Sequence, residues 1–137
     1  MQFVDTNVFI RFLTGDDPMK AQQCKALFER TNRGEIELTT SESVIAEIVF
    51  ILSSKRLYNQ PRRDIRARLY PILSMQGLKI SHRRMYLRAL DIYEKNNLDF
   101  EDALTVAQME RQALTDVYSY DQDFDKIQGA EIKRLEP

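Results

Sequence analysis

Apolar and polar positions follow two periods along this chain, one helical and one extended. Val8, Phe9, Ile10, Phe12 and Leu13 cluster at helical spacing behind the polar break Asp5-Thr6-Asn7, where Thr6 or Asn7 suits a helix cap. Gly15-Asp16-Asp17-Pro18 stops that helix and starts another from Met19 to about Thr31, with Pro18 in its first turn and Ala21, Cys24, Leu27 and Phe28 on one face. Further helices are expected from Ser41 or Ser43 to about Ser54, and from Pro61 with Ile65, Leu69, Ile72 and Leu73 inward. Two more run from His82 to Asn96, with Tyr86, Ala89, Leu90 and Tyr93 in a stripe, and from Asp99 to Ala113, with Ala103, Val106, Ala107 and Glu110 on one side. Gly34 and Gly77 act as breaks. Short apolar runs at Gln2 to Val4, Ile36 to Thr39, Leu78 to Ile80, Asp116 to Tyr120 and Glu131 to Leu135 read as strands.

Short strands separated by helices imply parallel pairing through helical crossovers. The expected architecture is α/β: a three-layer α/β/α sandwich with a short, mainly parallel central sheet. With 137 residues the chain is expected to be one domain, residues 1–137. In such sheets ligands bind beyond the carboxyl ends of the strands. Acids placed just after strands, Asp5 and Asp121, therefore attract interest.

Net charge is −1, which excludes a uniformly basic nucleic-acid binder. The charges are nevertheless segregated. Lys55 to Arg88 holds ten bases (Lys55, Arg56, Arg62, Arg63, Arg66, Arg68, Lys79, Arg83, Arg84, Arg88) against the single acid Asp64, a local +9 that leaves −10 elsewhere. Such asymmetry speaks about fields and partners rather than about fold. Its plain interpretation is an arginine-rich, solvated helix face. One cysteine, Cys24, excludes an internal disulfide and reads as a small core residue; the single histidine, His82, reads as a surface residue. No secretory signal opens the chain, and no stretch is long and apolar enough for a membrane span, since Glu47 interrupts the longest one, Val44 to Leu52. A cytoplasmic location is the expectation.

Glu47 is the sharpest anomaly. On a helix it falls beside Val44, Ile48 and Ile51, at the edge of a buried stripe, where a carboxylate needs hydrogen bonds, a cation or a raised pKa. Each acid also has a plainer interpretation. Glu47 can reach the rim and pair with an arginine, Asp102 can belong to a capping pair with Asp99, and Asp5 can serve a turn or cap. Asp121, Asp123 and Asp125 can form a solvated acidic turn, the preferred interpretation for Asp125. Taken together, acids from four segments converge on one expected crevice. Several bare carboxylates repel one another, and a divalent cation removes the repulsion. Oxygen ligands without histidine or cysteine suit Mg²⁺ or Mn²⁺ rather than Zn²⁺.

At these residues the chain resembles the PIN-domain nucleases, and among them the VapC-type toxins of toxin–antitoxin pairs. Phe3-Val4-Asp5-Thr6-Asn7 resembles the family's opening strand and first acid, and Ser43-Val44-Ile45-Ala46-Glu47 its second-acid helix. Leu98-Asp99-Phe100-Glu101-Asp102-Ala103 resembles the third-acid motif, and Ser119-Tyr120-Asp121-Gln122-Asp123-Phe124 the closing one. Each piece is weak alone; four in order across the whole chain are specific.

The resemblance implies a PIN-like fold and a metal-dependent ribonuclease leaving a 5′-phosphate. Asp5, Glu47, Asp102 and Asp121 are then the catalytic, metal-binding acids, with Asp123 as the second choice for the fourth. Thr6 and Ser119 become supporting hydroxyls near Mg²⁺ (or Mn²⁺) or its waters, and Asn7 orients the first-acid turn. Arg62, Arg63, Arg66, Arg83 and Arg84 become candidate RNA contacts, since an acidic site needs bases nearby to attract phosphates. Implied partners are an RNA substrate, a VapB-type antitoxin whose C-terminal part wraps the toxin, and a second copy in a homodimer, with no membrane. The alternatives are an RNA-processing PIN nuclease without an antitoxin, a non-catalytic RNA-binding module, and a signalling receiver domain with an acidic Mg²⁺ pocket.

Overall fold

The computed structural model describes residues 1–137. Its elements run β1 (Gln2–Phe3), α1 (Thr6–Thr14), α2 (Pro18–Asn32), β2 (Leu38–Thr39), α3 (Glu42–Ser53), α4 (Arg62–Leu73), α5 (Arg83–Lys95), α6 (Phe100–Arg111), β3 (Asp116–Tyr118), a 3-10 turn at Gln122–Lys126, and β4 (Lys133–Leu135). The fold divides into two compact units, Met1–Arg83 and Arg84–Pro137. Six helices and short parallel strands make it the expected α/β class.

In the first unit β1 and β2 pair in parallel, Gln2 opposite Leu38 and Phe3 opposite Thr39. Leu38 also bridges in parallel to Leu78. The expected third strand, Leu78 to Ile80, is reduced to that bridge, and the β2 run shortens to two residues. Both residues of β1 are exposed, so strands this short are held by the core that flanks them: Val4, Phe9, Ile10, Phe28, Leu38, Ile45, Ile48, Leu52, Ile65, Leu69, Leu73 and Leu78 are all buried. Helix α1 packs on α2 and α3, and α3 on α4. Phe9 stacks on Phe28 with ring centroids 5.3 Å apart, and Phe12 meets the same ring tilted, at 5.0 Å.

Several expectations shift by a residue or a face. Asp5, not Thr6 or Asn7, holds the cap position of α1, and Thr6 lies inside the helix. Ser41 rather than Ser43 caps α3, accepting from the Val44 N–H at 3.2 Å. Cys24 is half-buried rather than core; α2 buries only Phe28 and Thr31 fully, so its inner face is narrower than the periodicity implied. Burial still pushes the Cys24 thiol pKa up, which makes it a poor nucleophile.

In the second unit β3 and β4 pair in parallel from Asp116 opposite Lys133 to Tyr118 opposite Leu135. Helix α5 buries Met85, Tyr86, Ala89, Leu90, Ile92 and Tyr93, and Tyr93 meets Phe100 of α6 edge-on at 5.9 Å. Glu110 is not on the buried side of α6. It is exposed and takes a bidentate pair from Arg88, at 2.8 and 2.9 Å.

Gly77 is the tightest point of the first unit. Its N–H donates to the Thr31 carbonyl at 3.0 Å, and its own carbonyl accepts from Leu38 N–H at 2.8 Å. A Cβ there would lie 2.4 Å from the carbonyl oxygens of both Ile36 and Thr31, which are backbone and cannot swing away. Gly77→Ala is therefore expected to cost about 2–3 kcal/mol of stability. A urea midpoint equal to that of the wild type would contradict this packing.

Candidate active site

The first acid sits where a strand becomes a helix. Val4 N–H donates to Thr39 O at 2.8 Å, and Thr40 Oγ1 donates back to Val4 O at 2.8 Å. These bonds pin the end of β1 against the end of β2, and β2 runs through Ser41 directly into α3. The order of the chain thus fixes Asp5 and Glu47 on neighbouring elements. Thr6, 3% exposed, donates its Oγ1 hydrogen to Glu47 Oε2 at 2.9 Å, across 41 positions of sequence. Glu47 is exposed rather than partly buried, and a threonine hydroxyl, not an arginine, holds it. Asp5 caps α1 through its extended backbone, but its side chain makes no capping hydrogen bond. The carboxylate is exposed at the helix N-terminus, where the dipole favours negative charge. Asn7 is exposed in the first turn of α1.

The later acids belong to the second unit. Asp99 caps α6, its Oδ1 accepting from the Asp102 N–H at 2.8 Å. Asp102 is thus the recipient of the cap rather than the cap itself, and its own carboxylate is half-buried. Asp121 caps the 3-10 turn by accepting from Asp123 N–H at 2.9 Å, and Ser119 Oγ accepts from Asp121 N–H at 3.0 Å. Ser119 therefore shapes the closing turn. Asp125 is removed from the group by Arg134, which holds it at 3.0 Å.

The Asp102 carboxyl is pushed up to about 6. Burial is the largest cause, followed by the negative charges of Asp99, Asp121, Asp123 and Glu101. The helix N-terminus favours its ionised form, but burial and four neighbouring acids outweigh that. Within neither unit do three or more Asp, Glu, His or Cys side chains form a ready-made metal cage. The donor chemistry nonetheless suits a hard divalent cation: the donors are oxygens, and the field around Asp102 is one that positive charge would relieve.

A family model for the PIN domain matches residues 3–130, from β1 to beyond the 3-10 turn. The chain belongs to the PIN domain family. It is also 26% identical over 127 residues to a VapC ribonuclease of Aquifex aeolicus (strain VF5), an alignment spanning 93% of this chain and 92% of that protein. The receiver-domain alternative falls with this assignment.

The basic residues of this PIN domain have divided employment. Arg88 is committed to Glu110 and to the Gly129 carbonyl. Arg83 is half-buried and donates to the Leu78 carbonyl. Arg66 lies over the Tyr70 ring, 4.6 Å from its centroid, and Arg62 is half-buried. Lys55, Arg56, Arg63, Lys79 and Arg84 are exposed. Sequence reasoning missed Arg134, which binds Asp125, Glu136 at 2.7 Å and the Ser119 carbonyl at 3.0 Å, so one guanidinium ties β4 to the closing motif. Its signal was faint: a lone arginine in a C-terminal stretch otherwise rich in acids.

A raised carboxyl pKa has a definite sign for stability. Ionised Asp102 is disfavoured in the folded chain, so its penalty is fully present above about pH 6 and fades as the pH falls toward the ordinary value of 3.8. Without divalent cations, Asp102→Asn should raise the Tm by about 2–5 °C at pH 7.5, and the gain should vanish near pH 4. A thermal scan showing the same difference at both pH values would refute the charge origin of the effect.

Proposed function

We propose that this PIN domain is a metal-dependent ribonuclease acting in the cytoplasm as the toxin of a toxin–antitoxin pair. The carrying observation is the acidic set itself. Burial and the surrounding carboxylates push the Asp102 pKa up, Glu47 is held by a buried threonine, and Asp5 makes no capping bond at a helix start, all inside the family match. The similarity to a VapC ribonuclease supports RNA as the substrate. We take residues 1–137 to work as one nuclease domain.

In this reading Asp5 and Asp102 are the principal ligands of Mg²⁺ or Mn²⁺, and Glu47 and Asp121 complete the set, with Asp123 as the alternative fourth acid. When bound, the cation supplies positive charge for the scissile phosphate and acidifies the attacking water. Thr6 fixes one oxygen of Glu47 by donating to it, which leaves the other oxygen to accept a proton or orient a water. Ser119 and Asp121 hold the closing turn through backbone N–H groups, so that Asp123 is presented on a rigid turn rather than a mobile loop. The exposed bases Arg63 and Arg84, together with the half-buried Arg62, Arg66 and Arg83, would draw the RNA backbone toward an otherwise repulsive site.

A protein partner is supported by an apolar cavity of about 550 Å³ in the first unit, walled by Phe12, Leu13, Phe28, Pro71, Ile72 and Met75. Its rim carries Lys25, Glu29 and Arg68. We assign it to a VapB-type antitoxin segment. The exposed Phe50 and Leu57 are offered to that partner or to a second copy in a homodimer.

The purified chain should cleave single-stranded RNA with Mg²⁺ or Mn²⁺ and stop with EDTA. Thr6→Val, which removes only the hydroxyl, should lower kcat by about 10–100-fold, the usual cost of losing an outer-shell partner, and Asp5→Asn should lower it further. Full activity of Asp5→Asn with an unchanged circular-dichroism spectrum would exclude this acid from the reaction. For the toxin role, expression of the wild type but not of Asp5→Asn should arrest growth.

A further inference from the structure

We propose that the polar pocket between the end of α5 and the 3-10 turn is a subsite for a backbone phosphate of the RNA strand, flanking the bond to be cut. The proposal rests on the nuclease reading. The pocket has a volume of about 190 Å³ and is lined by Lys95, Asn96, Asn97, Leu98, Asp123, Lys126 and Gln128, all of the second unit. That volume is about six waters' worth, which is room for a phosphate group and part of its sugar.

The walls are held by a built device rather than by chance. Asn96 is 8% exposed, and its carboxamide is fully employed. Nδ2 donates to the Ile92 carbonyl at 3.0 Å and the Gln128 carbonyl at 3.1 Å, while Oδ1 accepts from the Gln128 N–H at 2.7 Å. This clamp ties the last turn of α5 to the segment following the 3-10 turn. It thereby fixes the backbones that carry Lys95 on one wall and Lys126 on the other.

The charges identify the ligand. Neither lysine forms an ion pair, in contrast to Arg88 and Arg134, which are saturated by carboxylates. Lys95 and Lys126 each stand in the last turn of a helical segment, α5 and the 3-10 turn, where an ammonium group complements the dipole; that local role does not require both to line one pocket, as they do. Two ammonium groups and the Asp123 carboxylate leave the pocket at +1, which one phosphodiester neutralises. Asn97 and Gln128 offer amide donors, and the buried Leu98 closes the floor of the pocket. Asp123 gives the pocket its address. It lines this cavity and is also among the acids that act on Asp102. A strand whose scissile phosphate lies at the acids would therefore lay a neighbouring phosphate between the lysines.

The test compares wild type with Lys95→Gln, Lys126→Gln and the double variant, using a fluorescent oligouridylate with Mg²⁺. Each single variant is expected to raise KM by about three- to tenfold with kcat little changed. In the double variant the slope of log KM against log salt should fall by about 0.7 for each phosphate that is no longer neutralised, a change that mere loosening of the fold would not produce. Lys→Arg at both positions should restore the slope. A free-phosphate arm follows the side-chain amide signals of Asn97 and Gln128 by NMR during titration with inorganic phosphate. Signals that move at low-millimolar phosphate, in a chain whose KM and salt slope ignore both lysines, would overturn the RNA assignment in favour of a free anion. Unmoved signals together with unchanged KM and slope in an active enzyme would overturn the pocket altogether. Absence of any RNA cleavage by the wild type would instead refute the nuclease reading, and oligouridylate anisotropy with the same variants then decides the subsite by binding alone.

Discussion

Holding like charges close together is the constraint around which the second unit is organised. Asp99, Glu101, Asp121 and Asp123 all bear on the Asp102 carboxyl, and a chain with no means of managing that repulsion would open there. The structure manages most of it with backbone N–H groups. Asp99 accepts from Asp102 N–H, Asp121 accepts from Asp123 N–H, and each bond sits at a helix or turn start where the local dipole is positive. Asp125 is taken out of play by Arg134. The remaining strain collects on Asp102, the half-buried member whose pKa moves up to about 6. The electrostatic cost is thus concentrated on one side chain, a perturbation of the kind that clusters at functional sites.

The first unit solves a different problem, that of positioning acids with very little sheet. Strands of two residues cannot rely on ladder hydrogen bonds alone. Val4, Leu38 and Gly77 therefore interlock through buried side chains and close backbone approaches. The Thr6 hydroxyl extends this rigidity to Glu47. The segregated charge acquires a structural meaning too. Some bases of the Lys55 to Arg88 segment brace the fold, as Arg83 and Arg88 do, and only the exposed ones are left to act on a partner.

Much of this was legible in the chain. Six helices announced themselves because amphipathic periodicity and punctuation by Gly15, Pro18 and Pro61 agree with one another. The acids stood out because Glu47 and Asp102 break or border apolar runs, and the family match covers all four motifs. Details set by tertiary packing were not legible. Leu78 is only a bridge, since strand extent depends on neighbours rather than on local preference. Cys24 is half-buried because the width of a buried stripe depends on what packs against it. Arg134 and Asn96 escaped notice because their importance lies in bonds to groups 9 and 32 residues away, and pattern along the chain says nothing about those.

Asp5 occupies the best-suited position for closing the first turn of α1, yet its side chain makes no such bond. A used cap is worth about 1 kcal/mol, so the helix begins with a deficit that one rotation of the side chain could erase. That rotation would also withdraw the acid from the solvent-facing side of the strand end. Stability and availability are therefore alternatives for a single carboxylate. A lineage selected only for heat resistance would be expected to settle this residue onto the helix, or to replace it with serine, gaining a better-closed first turn at the cost of a free acid there.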